Sequence, residues 1–142
     1  MQIRRIMTED VEVIQPDTLI SDAAKIMRDL NVGVLPVTDG KALTGILTDR
    51  DIVVRSIAGG KNPDQARAGS IISENVAWCY ENDEVATVSA KMKNNRIRRL
   101  PGVNKDNELV GIVSLGDLAV EGDEGMAGET LGEVSRPNRP ER

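Results

Sequence analysis

The sequence predicts an α+β fold made of two consecutive β-α-β-β-α repeats, and three observations predict it. The chain is duplicated: Met7-Thr8-Glu9-Asp10-Val11 aligns with Ile72-Ser73-Glu74-Asn75-Val76, Met27 with Met92, and Leu35-Pro36 with Leu100-Pro101, each 65 residues apart. After a one-residue loop insertion, Gly45-Ile46-Leu47-Thr48 aligns with Gly111-Ile112-Val113-Ser114 and Asp51 with Asp117, at an offset of 66. Within each copy, short apolar strands alternate with amphipathic helical stretches, and the last strand runs straight into a helix start.

The elements follow in order. Val11, Val13 and Gln15 alternate as a short opening strand, and Pro16-Asp17-Thr18 turns the chain into a helix whose apolar face is Ile20, Ala23, Met27 and Leu30. Val32 to Thr38 is a second strand, Asp39-Gly40 a turn, Leu43 to Leu47 a third strand, and Asp49 to Ile57 a helix. The second copy predicts strands at Val76 to Tyr80, Ile97 to Val103 and Leu109 to Val113, with helices over Val85 to Asn94 and from Leu115. Gly59-Gly60-Lys61-Asn62-Pro63 breaks the helix between the copies. The domain reading is therefore repeat 1 at 1–58, a linker at 59–65 and repeat 2 at 66–121. Residues 122–142, with Gly122-Asp123-Glu124-Gly125 and later Arg136-Pro137-Asn138-Arg139-Pro140, predict a flexible C-terminal tail with one helical turn near Glu129 to Val134.

Composition narrows the function. With 142 residues and 39% hydrophobic content the chain can bury a core without disulfide or metal staples. A net charge of −5 speaks against a general nucleic-acid or anionic-membrane binder. No histidine is present and Cys79 is the single cysteine, so an internal disulfide, the common zinc sites and histidine acid–base catalysis are excluded. The opening MQIRRIMTEDVEV lacks the apolar core of a signal peptide, and no apolar run approaches the roughly 20 residues that span a bilayer, so a cytoplasmic protein is expected.

The segments Gly45-Ile46-Leu47-Thr48-Asp49-Arg50-Asp51 and Gly111-Ile112-Val113-Ser114-Leu115-Gly116-Asp117 carry the functional reading. A helix start exposes unpaired N–H groups and partial positive charge that suit a phosphate; a hydroxyl can bond to it, and a carboxylate one turn on can accept from ribose hydroxyls. The same residues also spell a capping box, in which Thr48 or Ser114 caps the helix and Asp51 or Asp117 answers from the third helical position. A single copy favours capping; duplication at matched places, each after a glycine that admits close approach, favours binding, and one residue can do both. Arg98 and Arg99, just before Leu100-Pro101, fall on opposite faces of a strand, so at least one reaches a phosphate; the competing reading is a solvated basic edge. Trp78 and Tyr80 share a strand face, where core packing is favoured over base stacking, and Cys79 between them is read as structural.

These residues resemble the CBS (cystathionine-beta-synthase-type) family: Ile6-Met7-Thr8, Pro16-Asp17, Ala23 with Met27, Leu35-Pro36-Val37, and the Gly45 to Asp51 series, all repeated over residues 1 to 121. Leu47-Thr48-Asp49-Arg50-Asp51-Ile52-Val53-Val54 and Ala58 to Pro63 are similar to small stand-alone bacterial CBS pairs, including hypoxic-response types. The resemblance implies an α/β-type CBS pair with the repeats packed about a pseudo-twofold axis and two clefts for AMP, ADP, ATP or a related ligand such as NAD or S-adenosylmethionine, with no metal required. Carried over by position, Thr48 and Asp51 serve one cleft and Ser114 and Asp117 the other, Ile46 and Ile112 flank sugar and base, and Arg98 and Arg99 meet phosphates. Thr8 to Val13 face the Ser114 cleft, Ser73 to Tyr80 face the Thr48 cleft, and Val34 takes the place that Arg99 holds in the second copy. The implied protein is a regulatory, energy-sensing module, a homodimer with an unidentified regulated partner, not an enzyme and not a binder of nucleic acid or membrane. Two rivals are a protein-interaction module with empty clefts and a small carboxylate enzyme, for which no convergent acid and base pair is found. On the binding reading, Asp51→Ala and Asp117→Ala are expected to weaken binding and leave the ligand-free melting temperature nearly unchanged.

Overall fold

A computed structural model describes residues 1–73, 76–121 and 124–135. Glu74 and Asn75 of the repeat alignment, and Arg136 to Pro140 of the expected tail, lie outside the described residues. The chain divides into two compact units, neither continuous in sequence. The first comprises Glu12–Val76 with Asp106–Leu109; the second comprises Met1–Val11, Ala77–Lys105 and the chain from Val110 onward.

In the first unit, α1 (Ile20–Leu30) buries Ile20, Ala23 and Met27, as helical periodicity requires. Leu30, expected on that face, is 52% exposed because the helix ends beside it: Asn31 takes the left-handed conformation (φ 54°) and Val32 N–H returns to the Met27 carbonyl. β1 (Val34–Asp39) and β2 (Ala42–Thr48) pair antiparallel, with Leu35 opposite Leu47 and Val37 opposite Gly45, around a turn at Gly40 (φ 64°). α2 (Asp49–Asp51) leaves β2 at once and continues as a π-helical segment, Ile52–Ile57. The core gathers Ile14, Ile20, Leu35, Val37, Leu47, Ala68 and Ile71.

The second unit repeats this plan. β3 (Cys79–Tyr80) runs parallel to β4 (Arg99–Val103), and β5 (Leu109–Ser114) completes a sheet in the order β3-β4-β5. α3 (Val85–Asn95) precedes β4 and ends at a left-handed Arg96 (φ 52°); α4 (Leu115–Glu121) leaves β5 as α2 leaves β2. Its core gathers Ile3, Ile6, Met7, Cys79, Met92, Leu100, Val113 and Leu118.

The opening strand of each copy is shorter than expected, and its inward residue is the one the alternation placed outward. Ile14, not Val11 or Val13, is buried and bridges Val37; Cys79, 65 residues on, is buried and pairs with Gly102. Trp78 and Tyr80 are consequently exposed, at 38% and 42%, not packed in the core, and form an edge-to-face pair with Lys91 Nζ 5.1 Å from the Trp78 ring centre.

The tail also departs from expectation. α5 (Glu124–Val134) is a full eleven-residue helix, longer than the single turn expected. It packs on α3 and α4, where the buried hydroxyls of Ser89 and Thr130 bond to each other and Lys93 pairs with Glu129 at 3.3 Å.

Candidate functional site

The strand-to-helix junctions of the two units are the same construction. Thr48 Oγ1 accepts from Asp51 N–H at 3.0 Å while Asp51 Oδ2 accepts from Thr48 N–H at 3.0 Å; Ser114 Oγ and Asp117 Oδ2 make the equivalent pair at 3.1 and 2.8 Å. Both are complete capping boxes, satisfying two N–H groups that a helix start would otherwise leave open. The capping reading is therefore realised in both copies. It leaves chemistry over, because a carboxylate has acceptor sites for about four hydrogen bonds and the box uses one.

The first junction is the better braced. Asp51 is 9% exposed, and its Oδ1 lies 3.7 Å from Arg55 Nε. Arg55 Nη1 also donates to the carbonyls of Ile71 and Ile72, at 3.3 Å each, so one guanidinium ties the carboxylate to the docked segment. Arg55 was not foreseen; the signal for it was an arginine four positions after an aspartate on a helix.

The glycine three residues before each cap admits the protein's own backbone. A Cβ on Gly45 would stand 2.6 Å from the Ser73 carbonyl oxygen, and one on Gly111 2.7 Å from that of Thr8. Ser73 and Ile46 exchange hydrogen bonds at 3.1 and 3.2 Å, and Thr8 and Ile112 do so at 2.8 and 2.9 Å. The opening segment of each sequence repeat is thus an added edge on the other repeat's last strand: Ile3, Ile6 and Met7 enter the second unit's core, Ala68 and Ile71 the first unit's.

Each unit therefore brings together one set of the expected residues. The first holds Thr48 and Asp51, Ile46 half-buried beside Ser73, and Val34 directly across the hairpin from Thr48. The second holds Ser114, Asp117, half-buried Ile112, and Thr8 bridged to Ile112. Arg98 meets this junction through its backbone, its carbonyl accepting from Leu115 N–H at 2.8 Å, while Arg99 opens β4; both side chains are exposed. Cys79, buried in the sheet, has its thiol pushed from 9.0 up to about 12, chiefly by desolvation and then by the negative charge of Asp83. That makes it an inert packing residue.

Duplicated units with matched capping junctions define a tandem-repeat module, and comparison with known proteins supplies the family. The CBS domain family model matches residues 3–57 and again 68–122, and the chain belongs to that family. It is 38% identical over 137 residues to the CBS domain-containing protein YhcV of Bacillus subtilis, covering 96% of each chain. To hypoxic response protein 1 of Mycobacterium tuberculosis it is 33% identical over 117 residues, 82% of this chain and 81% of that one. Among solved structures, hypoxic response protein I with two coordinated zinc ions superposes with a TM-score of 0.79 at 32% identity, covering 85% of this chain and 98% of that one. The CBS domain pair of MJ0100, in complex with 5′-methylthioadenosine and S-adenosyl-L-methionine, gives 0.73 at 28% identity over 84% of this chain and 97% of that one. CBS-domain pair proteins are generally regulatory modules, and some are bound to adenosyl ligands in their structures. Among the described residues, no helix is long and apolar enough to cross a membrane.

Proposed function

We propose that this chain is a cytoplasmic regulatory module that binds adenosyl ligands beside its two capping junctions and transmits their presence through conformation or dimer geometry, without turnover. The ligand is AMP, ADP, ATP or a related compound such as NAD or S-adenosylmethionine. Asp51 and Asp117 accept from ribose hydroxyls, Thr48 and Ser114 bond to phosphate, Ile46 and Ile112 flank sugar and base, and Arg98 and Arg99 meet phosphate at the second junction. Thr8 and Val34 line the second and first sites respectively.

The observation that carries this reading is the repetition of one arrangement, a hydroxyl and a carboxylate at a helix start against a docked backbone edge, at the same place in both units. The adenosyl compounds bound by the MJ0100 pair support it. The homodimer is supported by Val53 and Ile57, which stand 58% and 64% exposed on the segment after α2, where a second copy would cover them. The same residues favour a second reading, a protein-interaction module whose sites stay empty. Titration calorimetry with AMP, ADP, ATP, NAD and S-adenosylmethionine separates the two: binding that Asp51→Ala and Asp117→Ala each reduce supports the ligand module, and no heat with any of the five leaves the interaction module.

A further inference from the structure

The two units make one backbone contact with different charge around it. In the first, Asp49 N–H donates to the Gly33 carbonyl at 2.9 Å; in the second, Leu115 N–H donates to the Arg98 carbonyl at 2.8 Å. Gly33 has no side chain, and the Asp49 carboxylate lies against it: a Cβ there would meet Asp49 Oδ2 at 3.0 Å. The carboxylate is held in place by Arg50 N–H, which donates to Oδ1 at 2.8 Å. In the second unit the same two positions are Arg98, exposed, and Leu115, buried. The next strand residue is Val34 in one and Arg99 in the other.

The formal charges follow. Gly33, Val34, Asp49 and Arg50 sum to zero, with the negative member fixed at the strand–helix contact; Arg98, Arg99, Leu115 and Gly116 sum to two positive charges with no acid among them. Counting the cap carboxylates as well, with the Arg55 that lies 3.7 Å from Asp51, the first set still sums to zero and the second, with Asp117, to one positive charge. A phosphate chain is therefore favoured at the second junction and opposed at the contact of the first.

Resting on the adenosyl-binding reading and narrowing it, so that only Ser114 of the two cap hydroxyls meets phosphate, we propose that the sites divide their ligands by charge: the Ser114 site takes a 5′-phosphorylated adenosine, and the Thr48 site takes an adenosyl compound whose 5′ substituent is neutral or cationic, a thioether or a sulfonium. Asp49 is the residue that sets this preference, by repelling anionic 5′ groups where Arg98 attracts them.

Calorimetry of the full chain with ATP, 5′-methylthioadenosine and S-adenosylmethionine, alone and in competition, tests it. ATP and 5′-methylthioadenosine are expected to bind together without displacing each other; Asp117→Ala is expected to abolish the ATP site and Asp51→Ala the thioether site. Asp49→Leu should raise ATP affinity at the Thr48 site, and Arg98→Gly lower it at the Ser114 site, each by roughly two- to fivefold for one charge at a solvent-exposed rim. Mutual displacement by the two ligands, or an ATP preference unmoved by Asp49→Leu, overturns the charge division and leaves the adenosyl-binding reading standing. No binding of any of the three to the unaltered chain removes both.

Discussion

A methyl group placed on Gly45 would enter the space occupied by the Ser73 carbonyl oxygen. The Cβ would sit 2.6 Å from that oxygen, where ordinary contact begins at 3.4 Å, so the docked segment must retreat by about 0.8 Å. The two hydrogen bonds between Ile46 and Ser73, now 3.2 and 3.1 Å, would stretch past the 3.5 Å at which such bonds are lost. Overpacking of this kind costs about 1–3 kcal/mol and each of the two lost bonds about 1 kcal/mol, so Gly45→Ala should destabilise the ligand-free protein by about 3–5 kcal/mol. A thermal melt followed by circular dichroism should then fall by roughly 8–15 °C. Gly40→Ala is the internal control: Gly40 has φ 64° and nothing within 4 Å of a built Cβ, so only left-handed backbone strain of about 1 kcal/mol applies. If Gly45→Ala melts no lower than Gly40→Ala, the docking of residues 68–73 against β2 is not the contact that requires this glycine.

Three further outcomes are expected. Asp51→Ala and Asp117→Ala should each lower the urea-unfolding free energy of the ligand-free protein by about 1 kcal/mol, because each opens a capping box; this replaces the expectation that capless variants melt normally, and an unchanged midpoint would refute it. Ser89→Ala should cost about 1 kcal/mol by removing the buried hydrogen bond between the Ser89 and Thr130 hydroxyls; an unchanged unfolding midpoint would refute the pairing. Cys79 should resist Ellman's reagent at pH 8 until the protein unfolds. Its thiol is held protonated to about 12 in the fold but only to 9.0 when exposed, so its contribution to stability is complete below pH 9 and is lost as pH rises towards 12. Stability that rises over that window would contradict burial of the neutral thiol.

The duplication was legible because it is a property of sequence alone, and the pairing of the opening strands respects it: Ile14 with Val37 and Cys79 with Gly102 are one pairing, 65 residues apart. Hairpins and helices fell within about two residues of their expected bounds because apolar periodicity records which local residues share a face. Periodicity does not record which face turns inward, and the short opening strands were read with the wrong one; a single-residue change of phase moves Val13 out and Ile14 in, and likewise exposes Trp78 and Tyr80. Helix α5 was underestimated because Gly125, Gly128 and Gly132 lower its propensity, which packing on α3 and α4 overrides. The Thr48, Asp51, Ser114 and Asp117 groupings were legible as motifs, whereas Arg55 and Asp49 acquire their roles only through contacts with Ile71, Ile72 and Gly33 that depend on the tertiary fold.

The exchange of opening segments explains why one short motif carries so much. Within Gly45-Ile46-Leu47-Thr48, the glycine admits the Ser73 backbone, Ile46 bonds to it, Leu47 fills the core and Thr48 caps the next helix. Gly111 to Ser114 repeats these four tasks against Thr8. Each junction is therefore a place where residues of both sequence repeats meet inside one folded unit, since Ser73 belongs to the second repeat and Thr8 to the first. In the first unit Arg55 links the two directly, touching Asp51 on one side and the carbonyls of Ile71 and Ile72 on the other. A ligand hydroxyl that bonded to Asp51 would compete with Arg55 for the same carboxylate, and any weakening of that ion pair would be felt by the segment that the second repeat lends to the first. On the proposed ligand-binding reading, coupling between repeats would follow from the composition of each unit, because each core includes residues supplied by the other copy.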